Sequence, residues 1–329
     1  MNDLPMPSDL KRDDAPAAPI VEPPSVKLIV RLFLIPLLIV GAAVGVMYLI
    51  SLMAGSEVSF DQAVQRLKTP GGERTTQWLV GPGSKQRYLD AQALTEKMKT
   101  GLTEPQRIKL SGDLLDILRN YTRAEEGEIQ HFVLLAMGRL WQRDPTQPEM
   151  DSPPAVAARE RVLSAVLEYA DAKDLSTRKA AVLATVYFSG YPESRQTIPK
   201  LVAKVRDERE DVDVRIAAAT VLGPLGSPTD ASVIQALQYA MRDTDPRNVE
   251  LVWSAALSLA QLNQPDVADT ILKLLSREEL AQARVYDREN DPKNPEFRNL
   301  SKAEQERILI NTMIGVEHYD VPAVQRKLK

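Results

Sequence analysis

From Gln86 onward, apolar positions recur at spacings of three and four, in runs separated by short polar breaks. In residues 214–225, Val214, Ala217, Ala218, Val221, Leu222 and Leu225 fall on one face of a helix, and Val233, Leu237, Ala240 and Met241 repeat the pattern over 233–241. This periodicity predicts helix pairs at about 86–100/104–120, 126–142/153–170, 175–189/192–206, 212–225/228–242 and 247–262/265–275. A charged insert over 277–300 precedes a last pair at 302–316/321–329. Start signals agree: Thr103, Pro105 and Gln106 open one helix, Ser152-Pro153 another, and Ser301-x-x-Glu304 forms a capping box. Pro192, Pro228 and Pro265 stand 36 and 37 residues apart, each preceded by an alanine-rich run: "RKAAVLATVYF", "RIAAATVLGPL" and "SAALSLAQL". A fixed period in this range is the mark of stacked helical hairpins. Each pair buries one face internally and leaves another for its neighbour, so the pairs must stack.

The first 85 residues read differently. Residues 1–26 are rich in proline, aspartate and alanine and cannot bury enough apolar surface to offset their chain entropy, so a disordered tail is expected. Residues 27–55 are expected to hold a transmembrane helix with a basic flank. Its core, 32–53, "LFLIPLLIVGAAVGVMYLISLM", is 22 residues without a charge, and about 20 apolar residues cross a hydrocarbon core. A secretory signal core runs about 7–15 residues, shorter than this one. Gly41 and Gly45 make a G-x-x-x-G that lets two such helices approach, which predicts a homodimer through the span. Lys27 and Arg31 flank the N-terminal side, whereas Glu57 and Asp61 come first on the other. That asymmetry predicts a cytoplasmic N-terminus and an exported C-terminal body. Residues 56–85 are expected to form a short helix to Lys68, opened by Ser59-x-x-Gln62, followed by a hinge over 69–85.

The repeats resemble the HEAT family. "DVDVRIAAATVLGPLGSP" (211–228) follows its D-x-x-V-R-x-x-A-A-x-A-L-G-x-L-G pattern with Val221 in place of alanine. Asp174 and Arg178 repeat Asp211 and Arg215 at the same interval, and "LLAMGRLW" (134–141) looks like a further copy. The likeness is good over about 174–276, partial over 86–173 and 301–329, and absent from 1–85. Val252 replaces the arginine in the third clear copy, which leaves open whether an Asp–Arg ladder continues there. The resemblance implies an all-α, right-handed α-solenoid of five to six helix pairs over 86–329. It implies little about activity.

Composition removes several chemistries. The chain has no cysteine, so disulfides and thiolate sites are excluded. Its net charge of −4 lacks the basic excess usual in nucleic-acid readers, and no nucleic-acid partner is expected. Glu128-x-x-His131 is half of a di-iron pattern without a second copy. "GPGSK" (81–85) lacks the spacing of a phosphate loop, and the acidic run 207–211, "DERED", reads as a solvated inter-repeat loop. Trp141 and Trp253 lie on helical faces and read as core, while Trp78 falls in the hinge. No catalytic, cofactor or metal residue is assigned.

A membrane-anchored scaffold that binds a protein partner without catalysis is therefore expected. The alternatives are a HEAT-like lyase, hydroxylase or cofactor binder and, behind it, a nucleic-acid binder. Tyr286, Phe297 and Arg298 in the insert are candidate partner contacts, since aromatics and arginine dominate interface hot spots. Arg195, Lys200, Lys204, Gln235 and Gln238, on the turns and second helices, are further candidates.

Overall fold

The computed structural model describes residues 60–68, 89–94, 101–122, 127–143, 151–287 and 296–328. The apolar run 32–53, with Gly41 and Gly45, lies outside them, as do Trp78 and the 81–85 turn. Among the described residues no helix is long and apolar enough to cross a membrane.

Nearly all of the described chain is helical. α1 (Phe60–Lys68) matches the short helix predicted there, and residues 89–94 are helical. Then follow α2 (Glu104–Asp116), α3 (Gly127–Leu140), α4 (Pro153–Tyr169), α5 (Leu175–Ala184), α6 (Ile198–Arg206), α7 (Val212–Leu225), α8 (Ala231–Met241), α9 (Val249–Gln261) and α10 (Ala268–Leu274). After a short helix α11 (Arg277–Gln282) and two strands come α12 (Lys302–Gly315) and α13 (Pro322–Leu328).

These helices form two layers. One contains α3, α5, α7, α9 and α12, each packed on the next; α4, α6, α8 and α10 lie against them as the second, with α13 packed on α10. The first layer can stack closely because its inward positions are small: Ala180, Ala181, Ala217, Ala218, Ala255 and Ala256 are buried, interleaved with Leu222 and Leu259. At Gly138 the approach is closer than any side chain allows, since a Cβ there would sit 2.7 Å from the Ala184 carbonyl oxygen. Trp141 closes the N-terminal part of the core, its Nε1 donating to Ser111 Oγ at 2.9 Å.

Side chains stop and start the helices where the sequence places polar residues. Ser152 Oγ accepts from Ala155 N–H, and Ser301 and Glu304 form the expected capping box. α2 runs into a π-helical turn, Ile117–Tyr121, and Tyr169 from α4 donates its hydroxyl to the Leu118 carbonyl at 3.1 Å.

The insert does not remain a loop. α11 leads into β1 (Arg284–Asp287), paired antiparallel with β2 (Glu296–Asn299), with Tyr286 opposite Phe297. The β-branched and aromatic residues Val285, Tyr286 and Phe297 suit paired strands, with Val285 buried. Arg298 fixes this ribbon to the start of α12 by pairing with Glu304 at 2.7 Å and with Asp287 at 3.2 Å. The last pair is then tied back to the preceding turn: Tyr319 donates to the carbonyls of Gln264 and Pro265, and Asn263, at φ 57°, accepts from Asp320 N–H.

Candidate interaction surface

Successive pairs are laced together where each second-layer helix turns back into the next first-layer helix, and repeat-equivalent residues do the lacing. Asp174 Oδ2 accepts from Thr177 N–H at 2.7 Å and Asp211 Oδ1 from Asp213 N–H at 2.8 Å, so each caps its helix. One turn on, Arg178 donates to the carbonyls of Ala172 and Lys173 and pairs with Glu210 at 3.2 Å. Arg215 donates to the Val205 carbonyl at 3.2 Å and faces Asp243 at 3.9 Å. Arg178 thus joins the loop before its own helix to the loop of the next pair, and Arg215 joins the last turn of α6 to the loop of the next pair. At the third copy Asn248 and Val252 stand in place of aspartate and arginine. Asn248 Nδ2 donates to Asp243, and the arginine link ends there.

Lys200 and Lys204 belong to the same lacing. Lys200 pairs with Asp171 at 2.6 Å and donates to the Leu167 carbonyl; Lys204 bridges Asp171 at 2.9 Å and Glu210 at 2.6 Å. Burial disfavours the charged forms of Lys204, Asp171 and Glu210, but their mutual hydrogen bonds outweigh it. Lys204 is held above its ordinary value, and both carboxylates below theirs. Glu210, within the acidic run expected to be solvated, is therefore a nearly buried bridge, while Asp207, Glu208 and Arg209 are exposed. Beside this edge lies a cleft of 560 Å³ lined by Glu208, Arg215, Tyr239, Arg242, Asp243 and Asp245. Its walls carry charges of both signs.

A second, less polar opening crosses the first layer. Ile216 and Thr220 on α7, Trp253 and Leu257 on α9, and Ile308 and Asn311 on α12 line a groove of 210 Å³. Trp253 and Leu257 occupy the positions one repeat after Ile216 and Thr220, 37 residues on in both cases. Beside the groove α12 meets α9, where Gly315 comes against Leu257 and Gln261. Trp253, which reads from sequence as core, is half-buried at its wall. The signal that finds it is the repeat itself: Ile216, equivalent to Trp253, is also half-buried and apolar.

The candidate partner residues fall on separate elements. Tyr286 and Phe297 meet edge to face at 5.5 Å, and Arg298 joins them on the hairpin with its guanidinium turned to Asp287 and Glu304. Lys200 and Lys204 converge on Asp171. Arg195, in the 3₁₀ turn Pro192–Thr197, and Gln235 are exposed, and Gln238 is half-buried on α8. His131 Nδ1 lies 3.1 Å from Ser176 Oγ, linking α3 to α5. Among the described residues no group of three or more His, Asp or Glu side chains is placed to hold a metal ion.

Residues 198–285 match the family of HEAT repeats. No curated protein matches the chain. The matched segment spans α6 to the first strand of the hairpin, and so includes Arg215, Trp253 and Leu257.

Proposed function

We propose, on the premise of HEAT repeats over 198–285, that the chain is a scaffold holding a protein partner or assembly close to a membrane, without catalysis. The observation that carries the partner reading is the groove in which Trp253 and Leu257 repeat Ile216 and Thr220 one repeat on, with Ile308 of α12 facing them. A stack of this kind offers a preformed surface, so little ordering cost is incurred on binding. Its mainly apolar walls, with Thr220, Glu250, Ser254 and Asn311 among them, suit an apolar side chain flanked by peptide groups. The 22-residue uncharged run 32–53 is the basis for the membrane anchor, and the charge asymmetry around it for an exported body.

The test uses the full-length chain with a C-terminal tag. The chain is expected to resist alkaline carbonate extraction from membranes, to lose that resistance when 32–53 are deleted, and to expose the tag to protease on the exported side. A photo-reactive residue at Leu257 should trap a defined partner, and Trp253→Ala should weaken the purified complex by about tenfold or more. A chain that is extracted freely, or whose cross-links are no more specific than those from Gln235, removes the reading.

A further inference from the structure

We propose that the outer face of α12 pairs with the same face of a second copy of this chain, antiparallel about a two-fold axis level with the midpoint between Ile310 and Ile314. α12 has two unlike sides. Thr312, Val316, Ile308 and Gln305 turn toward the stack, whereas Ile310 (54% exposed), Ile314 (68%) and Met313 (44%) turn away from it. These are three of the six large hydrophobic residues that stand exposed among the described residues. The exposed stripe is apolar, and a surface of that kind marks an association site.

The charges flanking the stripe choose the occupant. In a two-fold interface, residue i of one copy meets j of the other and j meets i. In an antiparallel helix pair the numbers of facing residues have a constant sum. The register that sets Ile310 against the partner's Ile314 therefore sets Arg307 against the partner's Glu317, in the turn just beyond the helix. Arg307 and Glu317 are both exposed and carry no ion pair among the described residues. A parallel pairing would bring Arg307 against Arg307 and Glu317 against Glu317. The surface is thus complementary to itself in one orientation only, with four isoleucines at the centre and two symmetrical ion pairs at the rim. The inference is independent of the membrane reading and uses the opposite side of α12 from the groove.

The full-length protein, purified in detergent, tests it. The chain has no cysteine, so Ile310→Cys in one tagged preparation and Ile314→Cys in another form a mixed disulfide only where two copies meet. Mild oxidation is expected to link the two. Arg307→Glu carried by both preparations, or Glu317→Arg carried by both, should cut the linked fraction by about tenfold or more, since each sets like charges together twice. Arg307→Glu in one and Glu317→Arg in the other should restore it, a gain that misfolding cannot produce. Absence of the mixed disulfide overturns the proposal. So does a linked fraction indifferent to charge reversal, or one that the complementary mixture fails to restore.

Discussion

Arg159 sits on α4 with 1% exposure, paired with Glu193 at 2.8 Å and Asp151 at 3.0 Å, its guanidinium 4.2 Å over the Tyr191 ring. Glu193 is itself nearly buried. Removing one member of such a pair leaves an uncompensated charge, whereas replacing both with apolar groups of similar volume is often neutral or stabilising. Arg159→Ala is therefore expected to lower stability by about 3–5 kcal/mol in urea melts. Arg159→Met combined with Glu193→Leu should recover most of that loss; equal losses for the two variants would refute the account. Glu304 supplies a pH prediction. The hydrogen bond from Arg298, followed by those from Ser301, lowers its carboxyl from 4.5 to about 2. A depressed carboxylate stabilises the fold fully above its ordinary value and loses that contribution as pH falls toward the folded one. The hairpin clamp should thus hold above about pH 4.5 and fail between there and about 2. An NMR titration of the Glu304 carboxyl should show the low midpoint, and Arg298→Ala should move it up. Sequence marks Glu304 as a cap but cannot show Arg298 beside it, because the hairpin that brings them together is a tertiary feature.

The first-layer helices are legible as a class from their alanines, yet how close each pair comes depends on single positions. Gly138 and Gly112 are both helical glycines with opposite surroundings. A methyl group at Gly138 would meet the Ala184 carbonyl and the Tyr187 ring, each at 2.7 Å, and a backbone carbonyl cannot swing aside. Gly138→Ala should cost about 1–3 kcal/mol by overpacking. At Gly112 nothing lies within 4 Å of the added carbon, so Gly112→Ala should stabilise by about 0.5–1 kcal/mol through helix propensity. Parallel thermal melts compare the two, and shifts of the same sign would refute the distinction. The insert shows the limit of periodicity at this level. Four-residue strands in a highly charged segment give too short an alternation to stand out, and their pairing is fixed by cross-strand contacts such as Tyr286 with Phe297.

In a stack, stability is approximately the sum of repeat terms and nearest-neighbour interfaces. α7 is covered on both sides within its layer, by α5 and α9, while α12 packs against α9 across the groove and has no first-layer neighbour beyond it among the described residues. Hydrogen exchange followed by mass spectrometry should accordingly find α12 and α13 opening at lower free energy than α7 and α9. Equal protection across all four would mean that the groove does not weaken the junction. A protein partner bound in the groove should raise the protection of α12 selectively, because it would replace the missing inter-helix contact.

The two-layer helical stack follows from local information: a spacing of three and four within each run, capping residues at the starts, and a 36- to 37-residue period that leaves each pair with a second face to bury. Which positions line a groove does not. Trp253 lies on a helical face like its buried neighbours Ala255 and Ala256, and only the placement of α12 beside α9 leaves it at an open wall. Lys200 and Lys204 likewise read as surface charges, yet the turn of the next repeat brings Glu210 to Lys204 and packing places Asp171 between the two lysines. Periodicity records which side of a helix is apolar. The distance to the next helix, and with it the difference between core, bridge and binding surface, is decided by the packing of residues far apart in the chain.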